Sequence, residues 1–190
     1  MRQKSSNSSD DQILHLLQNE KNLEQGFRLL MVHYQERLYA HIRRMVNGHE
    51  DANDVLQNTF IKVFRNIEKF EGNSKLYTWL YRIATNETIT FLNKKKRKST
   101  TSIDDEELDM ANRLSAETYF DGDSAQKSLQ QALELLPEKQ RLVFNMRYYD
   151  EMSYQAISDV LETSVGALKA SYHHAVKKIE QYIRQETEKL

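Results

Sequence analysis

The sequence predicts an all-α fold, two small helical domains joined by a flexible acidic linker, and three observations carry that expectation. The 190-residue chain holds only 5 Gly and 1 Pro, little material for tight turns. Apolar residues recur at helical spacing through most of the chain, and strand-like alternation is hard to find. Between residues 99 and 124 that pattern stops. The segment is rich in Ser and Thr, then acidic, with too few large apolar residues to order itself by burial. A chain of this length has room for one large or two small domains, and the break divides it accordingly. The expected division is an N-terminal extension (1–22), a first domain (23–98), the linker (99–124) and a second domain (125–190).

Composition narrows the function classes. There is no Cys, which excludes disulfides and thiolate metal sites and fits a reducing cytoplasm. The opening MRQKSSNSSD lacks the apolar core of a signal peptide, and no apolar run reaches membrane-spanning length. Net charge is −1, from 27 Lys+Arg against 28 Asp+Glu. The sum conceals separate blocks: KKKRK from Lys94 to Lys98, and DDEELD from Asp104 to Asp109. Local charge governs attraction to phosphate, because screening acts over about 10 Å at 0.1 M salt. Walker-type glycine loops, metal-spaced His clusters and nucleophile motifs are missing, so no enzyme, cofactor, metal or small-molecule substrate is expected.

In the first domain and its extension, residues 1–9 are polar and expected to be disordered, with Asp10 capping a short helix that carries Ile13, Leu14, Leu16 and Leu17. A longer helix is predicted from Leu23 to Val46. Its apolar side is Phe27, Leu30, Met31, Tyr34, Leu38, His41, Ile42 and Met45, and a left-handed Asn47-Gly48 end closes it. Asp51 to Ile67 gives the cleanest amphipathic pattern, with Val55, Leu56, Thr59, Phe60, Val63, Phe64 and Ile67 inward. Its other face shows Asp54, Gln57, Asn58, Ile61 and Lys62, and Ile61 there is either an ordinary exposed residue or an anchor for a partner. Phe70 to Leu76 reads as a loop about Gly72-Asn73. Thr78 is expected to cap the helix TWLYRIATNETITFLNKKKRK, with Leu80, Ile83 and Ala84 inward and Trp79, Arg82 and Asn86 off that stripe. Phe70, Tyr77, Trp79, Tyr81 and Phe91 thus lead into the basic run. Rings usually mean core, but rings beside cations are also what a single-stranded nucleic acid uses.

The linker is expected to hold at most one helical turn, near Leu108 to Leu114. The second domain opens at Ala125 to Leu136, apolar at Leu129, Ala132, Leu133 and Leu136. Pro137 suits the first position of the next helix, whose buried stripe is Leu142, Val143 and Met146. Ser153 to Ile179 then reads as a helix-turn-helix. Ile157, Val160 and Leu161 mark the first helix, Glu162-Thr163-Ser164 the break, and Ser164 the cap of the second. In that second helix Val165, Leu168, Tyr172, Val176 and Ile179 face one way, leaving Lys169, Ser171, His173, His174 and Lys177 on the others. Such a unit inserts its second helix into the major groove of DNA, although an ordinary helical hairpin has the same pattern.

Taken together, DANDVLQNTFIKVF, FEGNSKLYTWLYRIATN and LPEKQRLVFNMRYYDEMSYQAISDVLETSVGALK resemble, in order and spacing, the bacterial sigma factors of the extracytoplasmic-function (ECF) group, from about Leu23 to Ile183. The ending GALKASYHHAVKKIE looks most like the Bacteroidetes branch. The resemblance implies a cytoplasmic sigma factor that directs RNA polymerase core to promoters. Residues 23–98 would be a region-2-like domain that binds core and melts the −10 element, and 125–190 a region-4-like domain that reads the −35 element as duplex. Clamp and flap of the polymerase core, promoter DNA and an anti-sigma factor are the implied partners. By the family's pattern, Asp54, Gln57, Asn58 and Ile61 match the clamp-docking face. Phe70, Ser74 and Asn86 match the pocket for a flipped −10 base, with Trp79, Lys94, Lys95, Lys96 and Arg97 alongside. Arg147, Lys169, Ser171, His173 and His174 match positions near −35 DNA, and Lys177, off the apolar stripe of the same helix, is taken with them as a −35 contact.

The chain departs from the family at Glu162, where the turn usually carries Gly, and at Ser171, His174 and Val176, where Arg is common. A positive φ at Glu162 would be costly. Adjacent His173 and His174 point in different directions and make a poor metal pair. Two other readings are a stand-alone helix-turn-helix regulator and a helical protein-binding adaptor. A simple regulator has no need of a base-flipping loop, and an adaptor none of the basic run.

Overall fold

The computed structural model describes residues 4–46, 48–99 and 124–187, and these divide between two compact units that meet in sequence at Lys95 and Lys96. Among the described residues every regular element is helical. No helix among them is long and apolar enough to cross a membrane.

In the first unit, α1 spans Lys4–Leu17, α2 Leu23–Arg43, α3 His49–Asn66 and α4 Leu76–Ser99, the last running past the division at Lys95, with 3-10 turns at Glu20–Asn22 and Ile67–Lys69. Their common core contains Leu30, Tyr34, Leu38, Ile42, Val55, Val63, Leu80 and Ala84. Several buried polar groups are satisfied close by. Thr59 and Thr88 each donate to a carbonyl one turn back, at 2.7 Å, and His41 Nε2 lies 3.0 Å from Thr85 Oγ1, joining α2 to α4. Such pairing removes the penalty of burying a hydroxyl or an imidazole.

α1 packs on α2 at Gly26, where a Cβ would stand 2.9 Å from Leu16 Cβ and 3.0 Å from the Leu17 nitrogen. Tyr34, 1% exposed, donates to Asp10 Oδ1 at 2.6 Å. Burial first, and then the Asp10 carboxylate that accepts its hydrogen bond, push the Tyr34 phenol well above its ordinary range.

Several boundaries differ from the sequence expectations. Residues 4–9, expected to be disordered, are helical, so Asp10 lies inside α1 rather than capping it. Its side chain instead accepts from Tyr34, a tertiary bond that local sequence does not announce. α2 stops at Arg43. Gly48, at φ −92° and ψ 144°, is the extended N-cap of α3 rather than a left-handed helix end; Asn47 lies outside the described residues. Thr78 is no cap: α4 starts two residues earlier, the Trp79 amide already bonds to the Lys75 carbonyl, and Thr78 is buried. The expected turn does occur at Gly72, whose φ of +74° suits a residue without Cβ.

The second unit contains α5 (Ser124–Glu134), α6 (Glu138–Tyr148), α7 (Tyr154–Leu161) and α8 (Val165–Thr187). α8 is its spine, with α5, α6 and α7 all packed on it. Ala132, Leu133, Leu136, Phe144, Ala175 and Ile179 form one cluster, and Phe144 stacks on Tyr172 at 5.7 Å. Pro137 takes the N-cap of α6 rather than its first helical position. With ψ at 140° it remains extended, and its carbonyl accepts from the Arg141 amide. The linker's central residues 100–123, including the turn expected near Leu108 to Leu114, lie outside the described residues.

Candidate nucleic-acid interface

The helix-turn-helix is held by its caps. Ser153 Oγ accepts from the Ala156 amide at 3.1 Å, and Ser164 Oγ from the Ala167 amide at 3.3 Å, so each hydroxyl satisfies a donor the helix start leaves free. Glu162 sits between them at φ 52° and ψ 41°. The turn therefore imposes the left-handed conformation on a glutamate. Glu151, before α7, has φ 53° as well.

On α8, 100° per residue separates the predicted readers into two flanks. Lys169, His173 and Lys177 follow one another at four-residue steps and are all exposed. Ser171 and His174 lie toward the other side of the helix, Ser171 half-buried. The His173 and His174 rings are 6.0 Å apart and tilted by 54°. Among the described residues no three His, Asp or Glu side chains gather as a metal site would require.

Arg147, at the end of α6, joins the first of these flanks. Its Nη1 donates to the Met152 carbonyl at 2.9 Å, and its guanidinium lies 5.3 Å from the centre of the Tyr154 ring. Lys169 Nζ is 5.9 Å from the same ring. The two cations, 22 positions apart in sequence, thus converge on Tyr154. Nothing local in the sequence singles out that tyrosine, because the meeting is tertiary.

In the first unit, Phe70 and Trp79 meet with ring centres 5.2 Å apart, both half-buried. Ser74 is half-buried in the same loop and Asn86 exposed. Trp79 and Asn86 are seven residues apart on α4, hence on one face and separated by about 10 Å along the axis. The basic run continues the helix, and Lys94, Lys95, Lys96 and Arg97 are exposed. Lys95 is not wholly available to a phosphate, for its Nζ pairs with Asp51 Oδ2 at 3.0 Å. A second bridge, Lys62 to Glu87, also links α3 to α4.

Asp54, Gln57, Asn58 and Ile61 all face solvent on α3, and Ile61 is 42% exposed. Beside them a groove of about 780 Å³ opens between α2 and α3, walled by Phe27, Met31, Phe60, Ile61 and Phe64 and edged by Asp54 and Gln57. Phe64, expected in the core, is 50% exposed, and Phe27 meets it edge-on at 5.1 Å. Its apolar spacing placed it on the inner face; the groove leaves it uncovered.

Two family models match the chain: Sigma-70 region 2 over residues 30–98, and Sigma-70 region 4 over residues 126–179. The ECF RNA polymerase sigma factor SigW of Bacillus subtilis is 31% identical over 175 residues, spanning 88% of this chain and 94% of that protein. The ECF RNA polymerase sigma-E factor of Escherichia coli K12 is 29% identical over 173 residues, 87% of this chain and 90% of that protein. In fold, the chain is similar to the sigma factor RpoE of Bartonella quintana, solved with the anti-sigma factor NepR, at TM-score 0.67, 20% identity and 83% and 96% coverage of the two chains. It is similar too to CnrH, solved with the cytosolic domain of CnrY, at TM-score 0.69, 18% identity and 93% and 98% coverage. Both halves of the sequence pattern, and a relative matched over nearly its full length, therefore lead to one statement: this chain belongs to the ECF group of the sigma-70 family of sigma factors.

Proposed function

We propose that this sigma factor binds RNA polymerase core through the exposed face of α3, opens the −10 element with the loop and helix from Phe70 to Arg97, and reads the −35 element with α8. The observation that carries the reading is the coexistence on one chain of a capped helix-turn-helix and a separate ring-and-cation surface. The first suits duplex DNA and the second a single strand, and initiation requires both. Asp54, Gln57, Asn58 and Ile61 are the core-binding residues. Phe70, Ser74, Trp79 and Asn86 hold a flipped base, while Lys94, Lys95, Lys96 and Arg97 hold the adjoining phosphates. Arg147, Lys169, Ser171, His173, His174 and Lys177 contact the −35 duplex. The domain limits that go with these roles are 23–98 and 125–190, preceded by the extension 1–22 and joined by the linker 99–124.

The chain acts in the cytoplasm as a polymerase subunit rather than as an enzyme, with the clamp and flap of the core and an anti-sigma factor as its protein partners. Its ending GALKASYHHAVKKIE supports placement in the Bacteroidetes branch. The test is reconstitution. Core polymerase plus this chain should initiate at discrete promoters mapped after overexpression, and core alone should not. A chain that binds such DNA without stimulating core would instead be a stand-alone regulator.

A further inference from the structure

We infer that Tyr154 is a positioning residue for −35 recognition: its ring holds the Arg147 and Lys169 cations together at the mouth of the helix-turn-helix. This rests on the reading of Arg147 and Lys169 as DNA contacts. Three elements converge on the ring. Tyr154 is the first residue of α7, fixed by the Ser153 cap, and it meets Tyr172 of α8 edge-on at 6.3 Å. The Arg147 guanidinium reaches it from α6 at 5.3 Å, and Lys169 Nζ from α8 at 5.9 Å. A cation within about 6 Å of a ring centre is attracted by the ring's negative face.

Arg147 is restrained further, since one arm donates to the Met152 carbonyl and leaves its remaining donors for another partner. Two positive side chains would otherwise repel and spread over many rotamers. Holding them before DNA arrives lowers the ordering cost at binding, the general source of affinity from preorganisation. The family pattern gives Lys169 its place, but the tyrosine supplies what a lone exposed lysine lacks, a fixed direction.

The experiment uses the full chain with core polymerase and a promoter duplex selected by that wild-type holoenzyme from a randomised pool. Position 154 is changed to Phe, to 3,4,5-trifluorophenylalanine and to Leu. The fluorinated ring keeps size and packing while weakening the attraction for cations, so folding is not at issue. Relative to Tyr154→Phe, the fluorinated ring should weaken −35-dependent binding about two- to fivefold, and Tyr154→Leu at least as much. Both losses should vanish in an Arg147→Ala/Lys169→Ala background. Equal affinity of the fluorinated and Phe proteins overturns the proposal, as do tighter binding or a loss that persists in the double-alanine background. If the double-alanine protein itself binds as wild type does, the −35 assignment of the two cations is what fails, and the positioning role falls with it.

Discussion

Glu151 and Glu162 bracket α7, both in the left-handed region at φ 53° and 52°. For an L-residue that conformation costs about 1–2 kcal/mol, whereas glycine there loses about 0.5–1 kcal/mol in chain entropy. At exposed Glu151 the difference favours glycine. Glu151→Gly should therefore stabilise the second unit by about 0.5 kcal/mol, and thermal or denaturant unfolding of the full chain measures it. An unchanged or lower midpoint would show that the glutamate side chain compensates for its backbone. The departure at Glu162 was readable through the family resemblance, because the family's turn usually carries glycine there. The matching strain at Glu151 was not, since no spacing marks the α6–α7 corner. Asn86 poses the same question for function. Exposed on α4, it can donate and accept and so read a base edge. Asn86→Ala should keep polymerase binding, reduce permanganate reactivity at the −10 element and relax preference at one base. Normal melting with unchanged preference would take Asn86 out of the pocket.

At the scale of elements, α3 carries two faces. The inner one, Val55, Thr59 and Val63, is buried at 1% exposure or less, and follows from the apolar spacing. The outer one was legible only in part. Ile61 stood out among polar neighbours, but the groove beside it needs Phe27 and Met31 from α2, and no single helix pattern discloses a gap between two helices. Changing Asp54 and Ile61 together to Ala should weaken core binding while circular dichroism keeps its helix signal. Unchanged affinity in a core titration would remove α3 from the interface.

α1 shows the opposite limit. Its residues before Asp10 are polar and read as disordered, yet the helix begins at Lys4. It is fastened to α2 through the close approach at Gly26 and the Tyr34–Asp10 bond, neither visible in periodicity. Gly26→Val forces a branched side chain against the Leu17 backbone and should destabilise the first unit by about 1–3 kcal/mol. The Tyr34 bond has a pH signature. Its phenol is raised in the fold, so the folded chain holds the proton longer than the unfolded one, whose tyrosine titrates near pH 10. Its contribution is complete below about pH 10 and declines above it, by at most about 1.4 kcal/mol per pH unit. Replacing Tyr34 with Phe should flatten that alkaline limb in urea titrations; a wild-type slope in Tyr34→Phe would assign the loss to other groups.

Across the whole molecule, charge is organised by position. The basic run ends α4, where cations also suit the helix dipole, and the acidic run follows within the linker, so the two cancel in a net charge of −1. That arithmetic was legible at once; the pairing of Lys95 with Asp51 required the fold, since their residues are 44 positions apart. A chain of net charge −1 should still bind −35 DNA with a salt dependence set by its local cations, because each phosphate contact releases counterions and contributes a slope of about −0.9 in log K against log salt. Lys169 and Lys177 are expected to separate the two kinds of contact. Lys169 stands in the second turn of α8, near the end that reaches base edges, and Lys177 lies about 12 Å farther along the same flank. Lys177→Ala should weaken all sequences alike and make the slope shallower by about one. Lys169→Ala should cost about 1–3 kcal/mol on the preferred sequence and flatten preference at one base pair. Titrations of the full chain, with and without core, over a series of salt concentrations and single-base promoter variants distinguish these outcomes. Wild-type affinity, slope and preference in both variants would mean that this flank of α8 does not face the DNA, and that the opposite flank, through Ser171 and His174, does.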